Sequence, residues 1–156
     1  MVTFSLPVQK GWLPGLILGT ALLLALPVQA ADGPVQAQKN YRLYCMGCHQ
    51  ADGTGSPHNG IPSMRDEVGH FLRLPEGRAY LSQVPGTLNT PLNDADTAQL
   101  LNWVMRNLGR DSVPADFVPY TADDVQRYRA TVPQDIPALR VELVRRLAQL
   151  PPPAPR

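Results

Sequence analysis

Apolar positions along this chain recur at helical spacing, and nowhere do they alternate for long enough to suggest a sheet. The clearest segment opens at Asn93, a residue suited to cap a helix, with Asp96 three positions on as a carboxylate version of the capping box. Leu100, Leu101, Val104, Met105 and Leu108 then form one stripe, and Gly109 supplies the stop. An earlier helix is expected over 34–48, with Pro34 in the first helical position and Tyr41 and Tyr44 one turn apart. Two short helices follow, over 65–74 (Val68, Phe71, Leu72 apolar) and over 76–84 (Ala79, Tyr80, Leu81, Val84 inward), the second ended by Pro85-Gly86. Residues 87–92 read as a short connection.

Beyond Gly109 the pattern changes. Residues 111–120 carry two prolines and little periodicity, which predicts an extended connector. Thr121 and Asp124 repeat the capping-box spacing and start a helix to about residue 129. Leu139, Leu143, Leu147 and Leu150 recur at helical spacing, with Arg140, Arg145 and Arg146 directed elsewhere, until a proline-rich end that cannot continue a helix. The expected fold class is mainly α.

The first thirty residues read differently. Lys10 is a positive start, Trp12 to Leu26 an apolar run, and Val28-Gln29-Ala30 a cleavage site of small residues, so 1–30 is expected to be a signal peptide removed after Ala30. Pro14 and Pro27 leave an apolar run shorter than the roughly 20 residues of a spanning helix, so no membrane span is expected after cleavage. Loss of Lys10 leaves 13 basic residues against 13 acidic ones. That balance argues against nucleic acid or an anionic membrane surface as partner.

The chemistry-bearing stretch is Cys45-Met46-Gly47-Cys48-His49, which contains both cysteines of the chain. C-x-x-C alone also suits a redox dithiol or half a zinc site. With His directly after it, the pattern is the attachment signature of c-type haem. The two thiols bond the vinyl groups of the macrocycle as thioethers, and the imidazole is the proximal iron ligand. One covalent haem c is therefore expected, on Cys45, Cys48 and His49. The glycine- and proline-rich stretch 50–62 that follows is a loop, in which a carbonyl can accept the second ring N–H of His49.

From about 34 to 109 the chain resembles a class I c-type cytochrome: a helix into C-x-x-C-H, a Gly-rich loop, Ile61-Pro62, short helices, and a capped last helix carrying Trp103. The resemblance implies a small cytochrome c-like helical domain in which the first and last helices cross, bringing Trp103 near Tyr41 or Tyr44. The domain organisation expected is a signal peptide at 1–30, a haem domain at 31–110, and a Pro-rich connector with helical extension at 111–156. The family usually carries a distal Met shortly before the last helix, but here 85–92 contains neither Met nor His. Met64 is the first candidate for the sixth iron ligand, with His70 and Met105 as alternatives and an open position also compatible; His58 reads as a solvated loop residue. The resemblance implies a periplasmic electron carrier rather than an enzyme, passing single electrons from a dehydrogenase donor to an oxidase or cytochrome acceptor. Two alternatives stand beside it. One is a five-coordinate haem protein binding a diatomic gas or peroxide, and the other a cytochrome subunit held permanently by an oxidoreductase through 121–150.

Overall fold

A computed structural model describes residues 33–152 together with Met1 and Thr3. The rest of the expected leader and the last four residues lie outside that set. Among the described residues the secondary structure is helical, with one isolated bridge pairing Ser56 and Ile61. Helix α1 is Gly33–Tyr44 and α2 is Met46–His49; α3 is Pro75–Gln83 and α4 the single turn Pro85–Leu88. Helix α5 is Asp94–Val104, α6 is Ala122–Arg129 and α7 is Ile136–Leu147. The fold is thus mainly α, in keeping with a cytochrome c-like helical arrangement.

Helix α5 is the centre. Thr97, Ala98, Leu100, Leu101, Asn102 and Val104 are all buried, which covers most of its circumference, so neighbours must pack on several sides. Helix α1 lies on one side and α6 on another, while α3 bridges to α6 and α7. The contact with α1 is made by Ala37, Asn40 and Tyr41, residues at i, i+3 and i+4 on one face. Tyr41 and Trp103 meet with ring centroids 5.1 Å apart, as the resemblance implied, whereas Tyr44 is exposed. Asn93 caps α5 by accepting from the Asp96 amide at 2.8 Å.

Several boundaries differ from the sequence expectation, each for a local reason. The helix expected over 34–48 breaks at Cys45, although the Cys45 amide still bonds Tyr41 O at 2.9 Å, so the chain turns without unravelling. Residues 68–73 form a 3-10 helix rather than an α-helix. Pro85 starts α4 instead of merely ending α3, since proline fits a first helical turn. Gly109 is not the left-handed stop: α5 passes into a π-helical turn over Met105–Gly109, and Arg110 takes the positive φ of 42°. Leu150 lies beyond the end of α7 yet still packs on the core.

The segment after Gly109 is tied down by polar groups. Asn102 donates to Tyr120 O at 2.9 Å and accepts from the Tyr120 amide at 2.7 Å, so a side chain of α5 pairs with the connector as a strand would. The Tyr120 hydroxyl donates to Arg78 O at 2.9 Å. The Arg78 guanidinium donates to Val118 O, Pro119 O and Asp124 while lying 4.1 Å from the Tyr120 ring centre. Thr121 and Asp124 form the expected capping box. Arg129 then reaches the start of α5, donating to Asp94, Thr97 and Leu92 O. Val125 of α6 and Leu143 of α7 are fully buried, so each helix sets an apolar residue into the core.

Truncating a side chain that fills this interior removes contacts that the surroundings cannot fully replace. Leu143→Ala is expected to cost about 2–5 kcal/mol in urea denaturation. Val141→Ala, at a residue 71% exposed on the same helix, should stay within about 0.5 kcal/mol. Equal small effects at both positions would show that α7 is not part of the cooperative core.

Candidate functional site

Of the five residues of the C-x-x-C-H run, Cys45 is the corner after α1 and the other four form α2. Cys45 is partly buried and packs on the core, whereas Cys48 is exposed. Burial, with the nearby Cys48 adding to it, pushes the Cys45 thiol up to about 11. A redox dithiol works through a thiol whose pKa is depressed, so this environment is the opposite of what that chemistry uses. The amides of Cys48 and His49 both bond Cys45 O, at 3.2 and 2.9 Å, which fixes the turn between the two sulfurs and the imidazole.

The chain reverses directly after His49. Gln50 adopts φ 63°, ψ 168°, a region that costs a side-chain-bearing residue of order 1–3 kcal/mol. Its carbonyl is held by the buried Tyr41 hydroxyl at 2.7 Å. Burial raises the Tyr41 phenol to about 12, so it remains a donor across the physiological range. The loop then folds back on the motif: Gly55 donates to His49 O at 3.0 Å, and the amides of Met64 and Arg65 both bond Gly53 O, at 2.8 and 3.1 Å.

That path brings Pro62 O to 3.1 Å from His49 Nδ1. A carbonyl can only accept, so Nδ1 carries the hydrogen of the neutral ring and Nε2 keeps its lone pair. Burial lowers the His49 pKa, the Pro62 bond opposing it, and the neutral form a metal needs is favoured. Gly55, at φ +65°, is what allows the approach, because a Cβ there would stand 2.5 Å from Pro62 O. The expected loop carbonyl is therefore that of Pro62.

His49 opens into a cavity of about 330 Å³ that also takes in Met64, Val68, Phe71, Tyr80, Leu81, Val84, Ile136 and Arg140. Its lining is mainly apolar, suited to a flat hydrophobic cofactor. Of the other candidates, Met105 is fully buried in the core and His70 lines an adjoining cavity of about 630 Å³. Neither lines the cavity of His49. His58 is exposed and its Nε2 sits near Ser56 and Asn59 of its own loop. Among the described residues no three of His, Cys, Asp or Glu converge to hold a metal ion by themselves.

Arg140 is the functional candidate that sequence reasoning missed. The leucine stripe directs it elsewhere, but it is half-buried, lies 5.7 Å from the Phe71 ring centre and lines both cavities. Its spacing of four from Ile136, which also lines the cavity of His49, was the available signal.

With this geometry in view, the chain is similar to two proteins named cytochrome c-552, both from Thermus thermophilus. One is 29% identical over 148 residues, covering 81% of this chain and 95% of the relative. The other is 29% identical over 119 residues, covering 64% of this chain and 90% of the relative. No protein-family model matches the chain. The likeness runs nearly the full length of both relatives and supports a c-type cytochrome. No helix among the described residues is long and apolar enough to cross a membrane.

Gly55 and Gly60 both have positive φ, but only Gly55 faces an obstruction; nothing lies within 4 Å of a Cβ at Gly60. Gly55→Ala is therefore expected to lose more stability than Gly60→Ala by over about 1 kcal/mol, read from paired urea denaturation curves. Equal losses would mean that the Gly55–Pro62 approach does not constrain the loop.

Proposed function

We propose that this chain is an extracytoplasmic monohaem c-type cytochrome that passes single electrons between a dehydrogenase and an oxidase or cytochrome acceptor. The observation that carries the reading is the environment of His49. Its Nδ1 hydrogen is engaged by Pro62 O, so the free Nε2 belongs to an imidazole seated in an apolar cavity. The similarity to two proteins named cytochrome c-552 supports the same reading.

In this reading Cys45 and Cys48 hold one haem by two thioethers and His49 is its proximal ligand. The haem supplies reversible one-electron chemistry at its iron. The chain's own residues do the rest. Tyr41 and Gln50 hold the turn after the motif, Pro62 O orients the imidazole and raises its basicity, and Val68, Phe71, Leu81, Val84 and Ile136 give the cavity an apolar lining. The expected signal peptide, residues 1–30, agrees with an attachment that takes place outside the cytoplasm. The segment beyond residue 110 packs on the haem-domain core through Val125 and Leu143, while Val141 and Val144 of α7 stay exposed.

The test is production in a host competent for c-type maturation. The wild-type polypeptide should gain the mass of one haem and keep it through denaturation and acidic organic extraction. It should then cycle reversibly between oxidised and reduced spectra with one electron per chain. Cys45→Ser together with Cys48→Ser should abolish the retained mass. A chain that matures without covalent haem, or whose retained haem does not need these cysteines, would sink the reading.

A further inference from the structure

Helix α1 has two sides of different character. Ala37, Asn40 and Tyr41 are buried against the core. Val35, Lys39, Arg42 and Leu43, at i, i+4, i+7 and i+8, share the opposite side and are all exposed. Val35 is 57% and Leu43 71% exposed, and Tyr44 and Met46 stand open on either side of the corner at Cys45. Large apolar side chains gathered on one exposed side, rather than scattered singly, mark a contact surface.

The charges on this side are of one sign. Between residues 33 and 49 the chain has Lys39 and Arg42 and no Asp or Glu. No ion pair among the described residues involves either cation. The next acid along the chain, Asp52, is already held by Arg65 at 3.1 Å. Val141 and Val144 on α7 are exposed too, but the charges around them are matched: Arg145 with Glu142 at 2.7 Å, and Arg146 with Glu76 at 3.3 Å. On α1 both apolar area and positive charge are left over.

The arrangement selects the occupant. A helix that lies on a membrane keeps its cations on the face away from the lipid. Here Lys39 and Arg42 stand among Val35 and Leu43, and the opposite face is packed on α5. A second copy offering the same side would set cation against cation, which is costly. A protein surface that mixes apolar side chains with carboxylates satisfies both features at once. Its position also bears on function, since the exposed Cys48 follows Met46 by two residues.

We propose that the outward side of α1, with Met46, is the docking surface for a redox protein that presents an apolar patch interspersed with Asp and Glu. This rests on the haem reading above, which makes Cys48 a point of attachment, and it names the chemistry of the partner. Each encounter moves one electron between the partner's redox centre and the haem iron, with no bond made or broken.

The experiment uses the matured full chain, first shown to retain haem after denaturation. If no haem is retained, the haem reading fails and this inference falls with it. With haem present, the probe is a gold electrode carrying mixed methyl- and carboxylate-terminated thiols, beside one carrying methyl- and amine-terminated thiols. Mass uptake is read on a quartz microbalance and electron transfer by voltammetry. The wild type should form a film with a reversible one-electron wave on the carboxylate surface and little on the amine surface. Uptake should fall as salt rises, because exposed charges are screened over about 10 Å at 0.1 M. Lys39→Gln with Arg42→Gln should weaken uptake about tenfold, as expected for two exposed charge pairs, and Leu43→Gln should also weaken it. Lys39→Arg with Arg42→Lys should retain wild-type uptake. Val141→Gln and Arg145→Gln on α7 should stay within twofold. All these side chains are exposed, so the variants keep the fold. Unchanged uptake in the α1 variants, or equal losses in the α7 variants, overturns the proposal. So does a film that gives no wave although haem is present. Binding to vesicles of phosphatidylcholine and phosphatidylglycerol that is lost in the same α1 variants would assign this side to a membrane and overturn it as well.

Discussion

The hydrogen bond between His49 Nδ1 and Pro62 O is the constraint on which the rest of the site depends. It selects the tautomer of an imidazole that burial already holds neutral, and thereby decides which nitrogen faces the cavity. Thirteen residues separate the partners. The loop that closes this span contains glycines at φ +79°, +65° and +78° and the bridge between Ser56 and Ile61. Each positive φ turns the chain where a side chain would be strained, and at Gly55 the carbonyl of Pro62 occupies the space a Cβ needs. The strained Gln50 belongs to the same device, since the buried Tyr41 hydroxyl offsets part of its cost by holding the carbonyl that the unusual backbone presents. Helix α1, through Tyr41, thus links the Trp103 contact in the core to the geometry one residue past the imidazole.

The second dependence runs through the far end of the chain. Asn102 and Arg78 pair with the Tyr120 backbone and with the Val118 and Pro119 carbonyls from side chains of α5 and α3, which holds an irregular segment against the core. The connector in turn fixes where α6 and α7 begin. Burial of Val125 and Leu143 then sets the rotation of these helices, and that rotation directs Ile136 and Arg140 into the cavity. A segment that reads as an appendage in sequence therefore forms part of the cavity wall.

What the sequence disclosed and what it concealed follow from the range of the interactions concerned. Caps at Asn93 and Thr121 were legible because a cap needs only three or four adjacent residues. The C-x-x-C-H run at 45–49 is a local pattern too, and the structure gathers it into one tight turn on Cys45 O. The break at Cys45, the π-helical turn over Met105–Gly109 and the positive φ of Arg110 were not legible, because they answer to distant partners: Leu108 O accepts the Asp66 amide, and Gly109 packs against Val113 with no room for a Cβ. Arg140 shows the limit most clearly. Helical periodicity separates a leucine stripe from charged neighbours, but it assumes one partner surface. A helix that packs on the core with Leu143 and borders a cavity with Ile136 has two inward directions, and the second takes an arginine.

That second direction also bears on why an arginine stands where a leucine would pack as well. The aliphatic stem covers Phe71 at the junction of two cavities, a role any long side chain fills. The guanidinium adds a buried donor that no group among the described residues accepts at Nη1. Against leucine it is the costlier choice for the folded chain taken alone, since desolvating an unpaired charged donor outweighs its extra contact area. Arg140 thus stands where α7 borders both cavities, its stem on Phe71 and one nitrogen of its guanidinium shut away from solvent.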